Sequence, residues 1–240
     1  MTAVILAAGM GTRLRPRTND LPKALLEVGG KPLLRRCLES VAAAGVTRVV
    51  VVTGYLHEMV EEYLAGLSLS CRKDTIFNPQ YASTSNNYSL SLAGPEIAGE
   101  ELLLLDSDIL FAPGILRLLM NASSQNALVV RRTGDLGSEE IKVLLDGDGR
   151  VLRIGREIDP VTAQGESVGI ERFSAKGASA LFSVLEKRRS KNELYEASFQ
   201  QLIDDGVQIH GVDSGGLPCI EIDTPEDLRS AERLAAEHGL

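Results

Sequence analysis

Tryptophan is absent from this 240-residue sequence, phenylalanine and tyrosine number five each, and there are only three histidines. So few rings leave little from which to build an aromatic cage around a quaternary ammonium group. The three cysteines, Cys37, Cys71 and Cys219, are odd in number, far apart and without CxxC spacing. That excludes a zinc knuckle and a disulfide framework, and fits free thiols in a reducing compartment. Positive charge is also short, with 25 Lys and Arg against 33 Asp and Glu and a net charge of −8. A nucleic acid or an anionic membrane would call for a basic surface, so neither is expected as a partner. No apolar run approaches the roughly 20 residues of a membrane span. The opening MTAVILAAG is too short and lacks the basic start of a signal peptide. A cytoplasmic location is expected.

What is present is a regular alternation of strand and helix. AVILAA (3–8) reads as a buried strand and PLLRRCLESVAAAG (32–45) as a helix with Pro32 in its first turn and Gly45 beyond its end. TRVVVVTG (47–54) has the β-branched character of a parallel strand buried on both faces. Helix HEMVEEYLAGL (57–67), a strand ending in IFN (76–78), helix NNYSLSLAGPEI (86–97) and strand ELLLLDSDIL (101–110) follow. This order predicts an α/β fold, a doubly wound and mostly parallel Rossmann-like sheet with right-handed crossovers.

After about residue 126 the pattern changes. NALVVRR, IKVLLDGDGRVLRIG with its Asp146–Gly149 turn, and VGIERF read as strands, followed by helix SAKGASALFSVLEKRR (174–189). Helix YEASFQQLIDDG, strands VQIHGVD and CIEID, and helix TPEDLRSAERLAAEH with Thr224 as N-cap complete the chain. Without repeats or low-complexity linkers, residues 1–240 read as one domain. Its half 1–125 is expected to bind a nucleotide; its half 126–240 is expected to bind an acceptor and to close the site with a strand and helix.

Ligands of open α/β sheets sit beyond the carboxyl ends of the strands. Ala7-Ala8-Gly9-Met10-Gly11-Thr12-Arg13 lies there, and its small residues let backbone N–H groups approach an anion. Arg13 and Lys23 add positive charge suited to a triphosphate. The dinucleotide fingerprint fails because Leu14 stands where a third glycine is needed, and Walker A fails because Pro32 follows Gly30-Lys31. Asp106-Ser107-Asp108 ends one strand and Asp223 ends another. Carboxylates at strand ends facing one crevice suit Mg²⁺ shared with phosphate oxygens. Each of these motifs alone is equally compatible with a glycine turn or a solvated strand end.

The string GMGTRL, followed after seven residues by PKALL, resembles the signature of nucleotidyltransferases that activate sugar phosphates and small phosphorylated alcohols. VTGYLHE, NPQY, NNYSLSL, DSDIL and EIDTPEDL are most similar to the bacterial choline-phosphate and aminoalkylphosphonate cytidylyltransferases. The resemblance implies a GT-A-like fold, CTP as donor and Mg²⁺ on Asp108 and Asp223, with Asp106 nearby. It also implies that Ala7, Ala8, Gly9, Gly11, Thr12, Arg13 and Lys23 hold the nucleotide, and that Arg13 and Lys23 act on the reacting phosphates. Gln80, Thr84, Ser85 and Asn86, in the loop before a helix, are placed to read the base; Ser85 and Asn86 are also ordinary helix caps.

The acceptor half departs from the family pattern. The expected lysine is replaced by Arg156 in GREI, whose planar fork grips a phosphate differently. Lys142 is a further candidate for the acceptor phosphate, and Arg131 a weaker one. Tyr195-Glu196 offers a ring face and a carboxylate to an amine, or simply starts a helix. The expected partners are CTP and a small phosphorylated or phosphonylated acceptor, with a homodimer allowed for. A sugar-1-phosphate uridylyl- or thymidylyltransferase and a non-catalytic nucleotide-binding regulatory module are the rival readings.

Overall fold

The computed structural model describes residues 1–132, 136–188 and 190–240. In chain order the elements are β1 (Thr2–Ala7), β2 (Glu27–Val28), β3 (Lys31–Pro32), α1 (Leu33–Ala43), β4 (Arg48–Thr53), α2 (His57–Gly66), β5 (Arg72–Phe77), α3 (Asn86–Leu92) and α4 (Gly94–Ile97). They continue with β6 (Leu102–Asp106), β7 (Ile109–Phe111), α5 (Gly114–Asn121), β8 (Ala127–Arg131), β9 (Lys142–Leu145), β10 (Val151–Gly155) and β11 (Gly165–Phe173). Last come α6 (Ala175–Lys187), α7 (Glu196–Asp204), β12 (His210–Asp213), β13 (Cys219–Glu221) and α8 (Pro225–His238).

The central sheet runs β10-β9-β11-β6-β1-β4-β5, with β8 on β11 and β12 on β8. β5, β4, β1 and β6 are parallel neighbours, as the strand–helix alternation predicts. β8, β9 and β12 run in the same sense as β6, while β11 and β10 oppose it. Strand order therefore reverses at β1, and the loops after β1 and β6 part there to form the crevice in which such sheets bind ligands.

Strand alternation explains the two layers. Ala3, Ile5, Val49, Val51, Leu103 and Leu105 pack under α1 and α5 on one face. Val4, Leu6, Val50, Val52, Leu102 and Leu104 meet α3, α6 and α7 on the other. A third, smaller core joins Leu14, Leu26, Val28, Leu33, Leu110, Ile222 and Leu228. Each of three of those residues is a near neighbour in sequence of a charged candidate: Leu14 of Arg13, Leu110 of Asp108, and Ile222 of Asp223.

The expected single strand 101–110 is two. The chain turns at Ser107-Asp108, so β7 leaves the central sheet and pairs antiparallel with β13. Helix 86–97 is interrupted between α3 and α4, and α6 ends at Lys187; Arg189, included in the expected helix, lies outside the described residues. Among the described residues, no helix is long and apolar enough to cross a membrane.

Candidate active site

The opening loop is held by close backbone contacts. Tyr55 N–H donates to the Ala8 carbonyl at 3.1 Å, and a Cβ added to Gly54 would fall 2.6 Å from that oxygen. The end of β4 can press on the loop only because residue 54 has no side chain. Gly11 adopts φ +57°, and its carbonyl accepts from Leu14 N–H at 2.9 Å and from the Thr18 hydroxyl at 2.7 Å. A Cβ at Gly11 would lie 3.1 Å from Lys23 Cβ, so the second glycine is what lets the loop fold over Lys23.

Lys23 Nζ donates to Asp108 Oδ2 and to Asp223 Oδ1, each at 2.6 Å. Arg13 donates to Asp223 Oδ2 at 2.6 Å. The meeting of these distant residues follows from β13 pairing with β7, which continues as Ile222 N–H donating to the Asp108 carbonyl at 3.0 Å. Thr224 then caps α8 in a capping box with Asp227, whose carboxylate also accepts from Asp223 N–H at 3.1 Å. Capping is thus done by Thr224, and the Asp223 carboxylate is left to face the cleft. Burial opposes charge on Lys23, but Asp108 and Asp223 outweigh it and hold its pKa above the ordinary lysine value. Burial likewise opposes charge on Asp223, yet Lys23 and Arg13 hold its pKa below the usual aspartate value.

Glu221 joins this cluster. One carboxylate oxygen each from Asp108, Glu221 and Asp223 lies within 4.8 Å of the others. Burial, together with the Asp108 and Asp223 charges, pushes the Glu221 pKa up. Asp108 Oδ1 is buried with no hydrogen-bond partner among the described residues. An orphaned carboxylate oxygen amid hard oxygen donors fits a divalent cation of the Mg²⁺ kind.

Two adjoining hollows share Arg13, Asn86, Asp106, Arg156, Glu221 and Asp223. The smaller, about 210 Å³, is lined by Ala8, Gly9, Tyr81, Thr84 and Ser85. The larger, about 350 Å³, extends past Arg131, Gly169 and Glu196. Its inner end is acidic: Tyr195 donates its hydroxyl to Asp106 Oδ2 at 2.7 Å, and Glu171 is fully buried nearby. Asn86 Oδ1 accepts from Tyr195 N–H at 3.0 Å, tying the loop before α3 to the start of α7. Burial first, and the neighbouring Asp108 and Glu196 charges second, push Asp106 well above the usual aspartate range.

Ala8, Gly9, Arg13, Lys23, Thr84, Ser85, Asn86, Asp106, Asp108, Arg156, Glu196 and Asp223 come together around the cleft. Ala7 is buried at the end of β1 and Thr12 opens an exposed helical turn, so neither side chain lines it. Three expectations need correction. Lys142 is completely buried, with Nζ donating to the Gly137 and Glu140 carbonyls at 3.0 Å each, because β9 turns that side chain into the protein. The Tyr195 ring offers no free face, being fully buried against Phe199, with ring centroids 5.1 Å apart. Gln80 stands off the cleft, its side-chain amide engaged by Tyr88 and Lys191.

Sequence reasoning missed Glu221, Glu171 and Tyr81. Glu221 was legible, since it precedes Asp223 by two positions at a strand end and alternation aims both the same way. Glu171 carried a weaker signal, a lone acid inside the run VGIERF. Nothing in the sequence marked Tyr81.

The MobA-like NTP transferase domain matches residues 3–197. The choline-phosphate cytidylyltransferase of Streptococcus pneumoniae is 30% identical over 98% of both chains. The 2-aminoethylphosphonate cytidylyltransferase of Lancefieldella rimae is 29% identical, over 99% of this chain and 92% of its own. The inositol-1-phosphate CTP transferase from T. maritima superposes with a TM-score of 0.82 at 26% identity, covering 98% of this chain and 96% of that one. With a glycine loop after β1, a lysine bridging two strand-end aspartates and a family match over most of its length, the chain belongs to the MobA-like NTP transferases and is a nucleotidyltransferase.

Proposed function

We propose that the protein is a Mg²⁺-dependent cytidylyltransferase that moves CMP from CTP to a small phosphorylated or phosphonylated amino alcohol, of the choline phosphate or 2-aminoethylphosphonate type, and releases pyrophosphate. The observation that carries this reading is Lys23 Nζ at 2.6 Å from both Asp108 and Asp223. The relatives described above act on choline phosphate, 2-aminoethylphosphonate and inositol 1-phosphate, each with a cytidine donor by name. Residues 1–240 act as one domain, the first half holding the nucleotide and the second the acceptor.

In this mechanism an oxygen of the acceptor phosphate attacks the α-phosphorus of CTP, the bond to the β-phosphate oxygen breaks, and pyrophosphate leaves in line. The attacking oxygen is already anionic at neutral pH, so no general base is needed, consistent with the scarcity of histidine. Backbone N–H groups of residues 8–12 and the Arg13 guanidinium hold the triphosphate, and Lys23 meets the charge that develops on it. Ser85 and Asn86 border the base, and Arg156 takes the acceptor phosphate. Asp108 and Asp223, with Glu221, would hold Mg²⁺, which supplies charge neutralisation at the reacting phosphate.

The test is pyrophosphate release with CTP, UTP, dTTP, GTP and ATP against amino-alcohol phosphates, aminoalkylphosphonates and sugar 1-phosphates. CTP with an amino-bearing acceptor is expected to dominate. Turnover confined to UTP or dTTP with a hexose 1-phosphate would replace this reading with the sugar-nucleotide one, and tight CTP binding without any turnover with the regulatory one. Chelation by EDTA is expected to abolish turnover and added Mg²⁺ to restore it; full activity in EDTA would remove the metal.

A further inference from the structure

The larger cavity carries both signs of charge. Arg13, Arg131 and Arg156 line it together with several carboxylates, of which Asp106 and Glu196 gather at its acidic end near the fully buried Glu171. Arg131 is already matched by Glu166, its Nε lying 2.6 Å from Glu166 Oε1, and Arg156 faces Glu139 at 3.9 Å. At the acidic end the Arg156 charge acts on Glu196, but among the described residues neither Glu196 nor Glu171 has an ion-pair partner in contact. Glu196 is 6% exposed and Glu171 0%, and Oε2 of each is buried with no hydrogen-bond partner among the described residues. A buried carboxylate oxygen without a donor is costly, so a site that keeps two of them implies donors from elsewhere.

Two further features define what those donors belong to. No aromatic side chain is among the described residues lining this cavity, and the Tyr195, Phe173 and Phe199 rings are packed on one another beneath it. Gly169, at φ +71°, lets Asp106 pack directly against the backbone of the wall, since a Cβ there would lie 2.6 Å from Asp106 Oδ2. A small ammonium group beside Glu196 would give N–H donors to an oxygen that lacks them, whereas a trimethylammonium group has no N–H to give and would find no aromatic face among the described lining residues.

Resting on the cytidylyl-transfer reading above, we propose that the acidic end receives a primary ammonium group of the acceptor, with Glu196 in direct contact, and that the enzyme selects –NH₃⁺ acceptors over trimethylated ones. An ammonium offers three N–H donors to oxygens that lack them, while a quaternary nitrogen offers none. Asp106, Glu171, Ser167, Tyr195 and Arg156 are the polar groups around this end, and of these Arg156 alone is cationic. Burial pushes Glu196 up to about 7 and Glu171 well above the ordinary glutamate range, so a bound cation is what would keep both ionised at neutral pH.

The experiment is a methylation ladder on the intact enzyme. Turnover of CTP is measured with ethanolamine phosphate, its N-methyl and N,N-dimethyl forms, choline phosphate, 2-aminoethylphosphonate and, as a control without nitrogen, ethyl phosphate. The primary amines are expected to exceed choline phosphate in kcat/KM by about 100-fold, with the methylated forms between, because a polar site penalises a ligand that leaves its groups unpaired. Choline phosphate or ethyl phosphate matching ethanolamine phosphate would overturn the inference while leaving cytidylyl transfer intact. If another nucleotide proves to be the donor, the donor assignment fails separately, and the ladder with that nucleotide must still give the same order. Glu196→Gln is expected to raise KM for the primary amines at least about tenfold more than it raises KM for ethyl phosphate. An equal loss with ethyl phosphate would mean that Glu196 supports the fold and does not touch the amine.

Discussion

At Lys23, burial lowers the ammonium's proton affinity while Asp108 and Asp223 raise it, and the pairing prevails. The side chain therefore stays charged throughout the range in which an enzyme works. Lys23→Ala is expected to lower kcat by about 10²- to 10³-fold, the scale of losing one group that stabilises developing charge. The fold should persist, as judged by circular dichroism; near-normal pyrophosphate release would take Lys23 out of the mechanism. Glu196 behaves in the opposite way, since burial pushes it up to about 7 from an ordinary 4.5 and the Arg156 charge offsets this only in part. A glutamate that holds its proton more tightly folded than unfolded contributes stability below its unfolded pKa and loses it as pH climbs through the folded one. A tenfold difference in proton affinity between the two states corresponds to about 1.4 kcal/mol. Glutamine stays neutral, so the Tm of Glu196→Gln relative to the wild type should rise between about pH 5 and pH 8. A pH-independent difference would contradict the buried, proton-binding state of Glu196.

Among the elements, α8 matters beyond its own stability. Its capping box uses Asp227 to hold the backbone N–H groups of both Asp223 and Thr224. The helix start thereby fixes the carboxylate that pairs with Lys23 and Arg13. Thr224→Ala removes the cap and is expected to cost about 1 kcal/mol, or about 2–4 °C in Tm for a chain of this size. A measurable fall in kcat should accompany it, because Asp223 loses part of its support. Unchanged kcat alongside a lowered Tm would separate the cap from the site. The long-range antiparallel pairing of β7 with β13 acts in the same way, since without it Asp108 and Asp223 would stand on unrelated segments.

On the scale of the whole molecule, β11 of the second half is hydrogen-bonded directly to β6 of the first, and one sheet face packs under helices from both halves. The chain is accordingly expected to unfold in one cooperative transition, with calorimetric and van't Hoff enthalpies in agreement. Two separated transitions would divide it near residue 126. The same continuity builds the site, since the glycine loop follows β1 while Arg156, Gly169 and Glu196 come from the second half.

The sequence by itself determined the parallel half of the sheet, the loop after β1 and the strand-end aspartates. These rest on local signals: β-branched runs, helix periodicity, and small residues at a turn whose backbone must approach an anion. Only the tertiary structure decided that Lys142 is buried, that the Tyr195 ring is covered, that strand 101–110 breaks at Ser107-Asp108, and that Glu171, Glu196 and Glu221 gather near one cavity. In the antiparallel half, the direction of a side chain depends on which strand lies beside it and what packs above, and that pairing joins residues far apart in the chain. Period alone says that neighbours alternate; it does not say which face becomes the interior.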